Sequence, residues 1–172
     1  MPDPLHPAVA GPAPLHPAIA ALAPLLGAWA GHGAGEYPTI TPFDYLEEII
    51  VGHTGKPFLT YRQNTTASAD GRALHTETGY FRLPSPDRVE LVLAHPTGIT
   101  EIAEGPLRVA GNRMDMALNA TAIGRTASAK DVTALSRSIR VSGDELTYRV
   151  RLGAVGHPLQ HHLAATLHRK HR

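Results

Sequence analysis

At 172 residues the chain is long enough for one domain with a sizeable core and short for two. Its 16 Lys and Arg offset 15 Asp and Glu, which leaves no field strong enough to make nucleic acid or an anionic membrane the main partner. With no cysteine, disulfides, iron–sulfur clusters, thiolate zinc sites and thiol nucleophiles are excluded, so any metal must be held by His or carboxylate.

Residues 1–14 are rich in Pro and Ala and read as a flexible tail, with Pro4-Leu5-His6-Pro7-Ala8 echoed at Pro14-Leu15-His16-Pro17-Ala18. No Lys or Arg opens the chain and Pro interrupts each apolar stretch there, a poor pattern for a signal peptide, so a cytoplasmic protein is the expectation. Pro17 at a first helical position and the Ala-rich run after it predict a short helix ended near Pro24. No run of about 18 apolar residues occurs, hence no membrane-spanning helix is predicted.

From residue 28 the pattern becomes one of short runs with period-two alternation, about ten of them. They fall near 28–35, 43–53, 58–66, 73–83, 88–95, 98–107, 113–123, 131–142, 144–154 and 161–170. Hairpin-type turns separate them, among them Ala69-Asp70-Gly71-Arg72, Pro96-Thr97-Gly98, Ala110-Gly111-Asn112 and Ser142-Gly143-Asp144. A meander of this size has two edges to protect, and closure removes both. The predicted fold is therefore all-β: a closed antiparallel up-and-down β-barrel of about ten strands, lipocalin-like or fatty-acid-binding-protein-like, with a short N-terminal helix. Such a barrel holds one small ligand inside.

Chemistry must come from the histidines, of which there are 11. His6, His16, His168 and His171 lie in or near the termini, and His32, His53, His75 and His95 suit hydrogen-bonded structural roles within the barrel. The segment Val155-Gly156-His157-Pro158-Leu159-Gln160-His161-His162-Leu163 is the most suggestive, because it sets two adjacent histidines at the start of the last strand. Neighbours on a strand diverge, which argues against a zinc pair. His161 shares its face with Leu163, Ala165 and Leu167, so simple alternation slightly favours His161 as inward, and a bulge or an apolar outer face packed on the N-terminal helix would reverse the choice. A single inward imidazole in an apolar barrel is a competent haem ligand.

Two other segments are weaker. Gly27, Gly31, Gly33 and Gly35 around Trp29 leave one strand face bare, which suits close backbone approach better than a phosphate loop. Glu47 and Glu48 are adjacent and diverge, so they form no catalytic carboxylate pair, and no Gly-x-Ser-x-Gly elbow occurs.

Taken in order, these segments resemble the nitrobindin family, from about Leu15 to the end. The carriers are the Gly-x-Trp-x-Gly-x-Gly motif at Gly27, Trp29, Gly31 and Gly33, then Gly35-Glu36-Tyr37-Pro38-Thr39 and Phe43-Asp44-Tyr45-Leu46-Glu47-Glu48. His75-Thr76-Glu77-Thr78-Gly79-Tyr80-Phe81-Arg82, Thr97-Gly98-Ile99 and Pro158-Leu159-Gln160-His161-His162-Leu163 complete them. The resemblance implies a haem b barrel over 15–172 whose iron is held by His162, with Thr39 against the haem and the glycine–Trp motif as part of the cofactor-binding set. It implies peroxynitrite isomerisation to nitrate at a ferric haem, and nitric oxide binding, with small-molecule partners, no nucleic acid and no membrane. The chain departs from the family at Arg149–Gly156, where a Met usually stands, which implies different distal packing. A nitric-oxide sensor without turnover and a lipocalin-type carrier of apolar molecules are the alternatives. Oligomeric state is left open, a homodimer included.

Overall fold

The computed structural model describes residues 13–171; of the tail expected over 1–14, residues 1–12 lie outside the described residues. Ten strands follow a short helix: β1 (Gly27–Tyr37), β2 (Ile40–His53), β3 (Leu59–Ala67), β4 (Ala73–Ser85), β5 (Arg88–His95), β6 (Ile99–Ala110), β7 (Arg113–Arg125), β8 (Val132–Ser142), β9 (Glu145–Ala154) and β10 (His157–Arg169). Each pairs antiparallel with its sequence neighbour, and β1 pairs with β10 to close the barrel. The fold is the up-and-down barrel that alternation and turn chemistry predict. Two strands start earlier than the pattern suggests, β2 at Ile40 and β10 at His157. No helix among the described residues is long and apolar enough to cross a membrane.

The N-terminal helix, Pro17–Leu25, is a 3-10 helix. Ile19 departs from helical geometry and Pro24 interrupts the interior, so the longer α-helical hydrogen bonds do not propagate. His16 caps it, its Nδ1 accepting from Ala18 N at 3.2 Å. Ile19, Leu22 and Leu25 turn into the barrel and meet Trp29, which is wholly buried and donates its indole N–H to Leu25 O at 2.8 Å. Together they form the floor.

Inward sets follow the period of two. On β5, Val89, Leu91 and Leu93 are buried while Val92 is exposed, which resolves the apolar run Leu91-Val92-Leu93. Only about 20 Å³ remains free in the floor half, between Leu25, Ile49, Phe81 and Leu146. The opposite end, the mouth, is rimmed by the β1–β2, β3–β4, β5–β6, β7–β8 and β9–β10 turns. Any sizeable ligand must therefore enter at the mouth.

Gly31 and Gly33 explain why β1 is so poor in side chains. A Cβ at Gly31 would strike the carbonyl of Thr166 on β10, and one at Gly33 would strike the Tyr45 ring. The seam closes tightly and an aromatic ring fills the vacated face.

Candidate functional site

The last hairpin determines which terminal histidine faces the mouth. Val155 and Gly156 both have positive φ, 46° and 83°, the geometry of a tight primed hairpin turn. Such a φ is strained for a β-branched residue, and Val155 is tied down by its N–H to Asp131 O at 2.8 Å. Beyond the turn, His161 pairs with Arg151 but Leu163 pairs with Val150, so β10 carries one extra residue, His162. This bulge resets the face. His161 is exposed and lies with Arg149, Arg151 and Ser136 on the outer wall, whereas His162 is partly buried.

His162 is held from two sides. Its Nδ1 lies 2.9 Å from Glu36 O, and its ring packs edge-on against Tyr37 at 5.5 Å between centroids. Because a carbonyl can only accept, Nδ1 carries the proton and Nε2 keeps its lone pair. Burial lowers the His162 pKa, against the Glu36 bond that favours the proton, and His161 and His75 push it the same way as burial. The imidazole is therefore neutral at physiological pH, with Nε2 making no hydrogen bond among the described residues.

Tyr37 anchors this corner, its hydroxyl donating to Ala154 O at 3.1 Å and accepting from Ala154 N at 2.8 Å. Tyr37, Ile99, Val132 and Ala154 form a buried apolar group at the mouth, joined by Ile123, Leu135 and Leu152. Leu152 stands in the Arg149–Gly156 stretch that departs from the family pattern. Thr39 is exposed in the β1–β2 turn, at the same end as His162. Gly27 and Trp29 are elsewhere: Trp29 pairs with Arg169 and Gly35 with Leu163, a separation of about 20 Å at the usual strand rise. The structure assembles His162, Tyr37 and Thr39 at the mouth and sets Gly27 and Trp29 in the floor. A neutral imidazole with its far nitrogen pinned by a carbonyl, beside apolar walls, fits a haem iron ligand.

Inside the barrel lies a polar layer that the sequence did not reveal. Arg137 on β8 forks onto Glu77 (3.0 and 3.0 Å) and Glu101 (3.1 and 2.9 Å). Burial would raise the Glu77 carboxyl, but Arg137, His75 and His95 outweigh it and hold Glu77 far below the usual range; Glu101 is lowered in the same way. His75 and His95 stack and share a hydrogen bond of 3.2 Å. A second group joins Glu47, Gln63, Tyr148 and Tyr45, with Tyr148 donating to Glu47 at 2.7 Å. Glu48 points outward to Lys170, so the two adjacent carboxylates diverge as their strand requires. The available signal was the i, i+2 spacing of His75 and Glu77 on the face that also carries Phe81.

A concavity of about 760 Å³ lies on the outer wall over Ala34, Ala164 and Thr166. Asp44, Asp115, Arg140 and Arg149 border it, a polar rim unlike the apolar mouth.

The model of the THAP4-like, heme-binding beta-barrel domain matches residues 18–169. Peroxynitrite isomerase 2 of Mycobacterium ulcerans is 65% identical over 145 residues, 84% of this chain and 90% of that protein. Peroxynitrite isomerase 1 of Mycolicibacterium paratuberculosis is 62% identical over 170 residues, 99% of each chain. The crystal structure of Rv2717c from M. tuberculosis superposes with a TM-score of 0.90 at 58% identity, covering 92% of this chain and all of that one. A domain match across nearly the whole barrel, relatives at this identity and the shared architecture agree: the chain belongs to the THAP4-like, heme-binding β-barrel family, the nitrobindin family.

Proposed function

We propose that this protein is a haem b-dependent peroxynitrite isomerase that also binds nitric oxide, with His162 as the residue that would hold the iron. The observation that carries the reading is the His162 imidazole, neutral, partly buried and pinned through Nδ1 to Glu36 O at 2.9 Å. The names of relatives at about 60% identity supply the reaction. Haem held there by His162 would supply the iron chemistry that converts peroxynitrite to nitrate. Substrate and product hold the same atoms and the same charge, so no electron donor is consumed.

The chain's own work is binding and orientation. The Glu36 carbonyl fixes the His162 tautomer, so Nε2 is the donor toward the mouth. The Tyr37 ring, held by Ala154, blocks rotation of the imidazole. Ile99, Val132, Leu135 and Leu152 supply apolar surface that excludes water from one side. Thr39, exposed in the β1–β2 turn at the same end as His162, would contact the cofactor. Gly27, Trp29, Gly31 and Gly33 contribute by building the floor and the β1–β10 seam that carries His162.

Absorbance of the purified protein with added haemin is the test. A Soret band that is lost in His162→Ala and retained in His161→Ala supports the assignment. A protein that takes up no haemin sinks the reading, and peroxynitrite decaying no faster with the haem protein than without it removes the isomerase.

A further inference from the structure

Across the barrel from β10, strands β4 and β5 bring together three metal-ligating side chains that the haem reading leaves unused. His75 Nε2, Glu77 Oε2 and His95 Nδ1 lie 3.2, 3.4 and 3.8 Å from one another. A tetrahedron with metal–ligand bonds of about 2.0–2.1 Å has edges of about 3.3–3.4 Å. The three atoms thus stand near the corners of one face of such a polyhedron. Two imidazoles and one carboxylate are a donor set that zinc and its first-row neighbours accept.

The surroundings point the same way. His95 has a side chain only 8% exposed, and its Nε2 is buried with no hydrogen-bond partner. That nitrogen faces Glu101 Oε2 at 3.4 Å, just outside bonding geometry. A metal on Nδ1 obliges Nε2 to carry the proton, and Glu101 is then the acceptor in place, the carboxylate–histidine–metal relay common at such sites. Among the described residues Arg137 is bonded to both Glu77 and Glu101, so with the two imidazoles neutral, as metal ligation requires, the buried cluster carries one negative charge for a cation to offset. Glu77 Oε1 is filled by Arg137 and the Tyr61 hydroxyl, whereas Oε2 accepts only from Arg137 and keeps a second lone pair. His75 is about a third exposed, so cations have a route in and the fourth corner has no protein ligand among the described residues. We infer that His75, Glu77 and His95 form a three-ligand site for a divalent first-row cation, zinc or a close relative, built without His162 and with one position open to an exogenous ligand.

Titration of the haem-free full-length protein with Co²⁺ tests this, since four-coordinate cobalt absorbs strongly in the visible and six-coordinate cobalt weakly. The expected result is one strongly absorbing cobalt per chain, displaced by Zn²⁺. His75→Ala and His95→Ala should each weaken binding at least hundredfold, and Glu101→Gln, which touches only the outer partner, by about 10–100-fold. His162→Ala should bind cobalt as the unaltered protein does, which keeps this outcome distinguishable from that of the haem assignment. Far-ultraviolet circular dichroism of the exposed-site variant His75→Ala verifies that the barrel persists. Weak absorbance alone, binding that survives His75→Ala in a folded barrel, or binding lost only in His162→Ala would each overturn the site.

Discussion

Two groups of buried polar side chains sit inside one barrel and solve the same difficulty in opposite ways. Around Arg137, the carboxyls of Glu77 and Glu101 are buried yet held ionised, because a guanidinium forks onto both. Around Tyr148, the Glu47 carboxyl is equally buried but meets only neutral donors from Gln63 and Tyr148, and burial pushes it up to about 7. Arg137 favours the Glu47 anion too, but only as a minor influence from a distance. Burial acts on all three acids alike; the partner decides whether charge or proton remains.

The difference gives the two groups opposite pH dependence. Glu77 and Glu101 have folded pKa values below their unfolded ones, so they add stability above the ordinary carboxylate range and lose it as pH falls. Glu47 has a folded pKa above its unfolded one, so its contribution is complete below about 4.5 and is lost as pH rises through about 7.

Removing the guanidinium should break the contrast most severely. Arg137→Met leaves two buried carboxylates without their cation and should cost about 3–5 kcal/mol in urea unfolding at neutral pH. The cluster should then behave as Glu47 does, gaining stability toward acid, and a loss under 1 kcal/mol would show that the fork is not what keeps these acids charged. Next in size is Glu47→Gln, which keeps an acceptor for Gln63 but has no proton to lose. It should flatten the decline in stability between pH 5 and 9, with a gain at the alkaline end of up to about 3 kcal/mol. An unchanged pH profile would mean that Glu47 is ionised throughout. The smallest effect belongs to its neighbour: Glu48 faces solvent and pairs with Lys170 at 2.7 Å. Lys170→Ala should cost under about 1 kcal/mol, and added salt should erase the difference.

Much of this molecule was legible in its sequence. Strand number, meander order and closure follow from period-two alternation broken by Gly, Asn and Asp turns, because each strand needs only its neighbour in sequence to pair. The early starts of β2 at Ile40 and β10 at His157 lie outside the alternating runs: Pro42 and Pro158, which cannot donate to a ladder, stand in those stretches and the strands continue through them. The terminal histidine pair was found, but alternation chose His161 for the inward face. One unpaired residue in β10 turned His161 onto the outer wall and His162 toward Tyr37, a register shift that no residue pattern within the strand announces.

The interior polar layer was illegible for a different reason. Arg137 meets Glu77 and Glu101 across 60 and 36 residues of chain, and Tyr148 meets Glu47 across 101. Local spacing carries no information about such pairs. By itself, then, the sequence determined the barrel, its turns and a histidine-bearing last strand, because those depend on short-range period and turn conformation. Tertiary structure alone decided which imidazole faces the mouth and which buried acids keep their charge, because both depend on what closure of the barrel brings alongside.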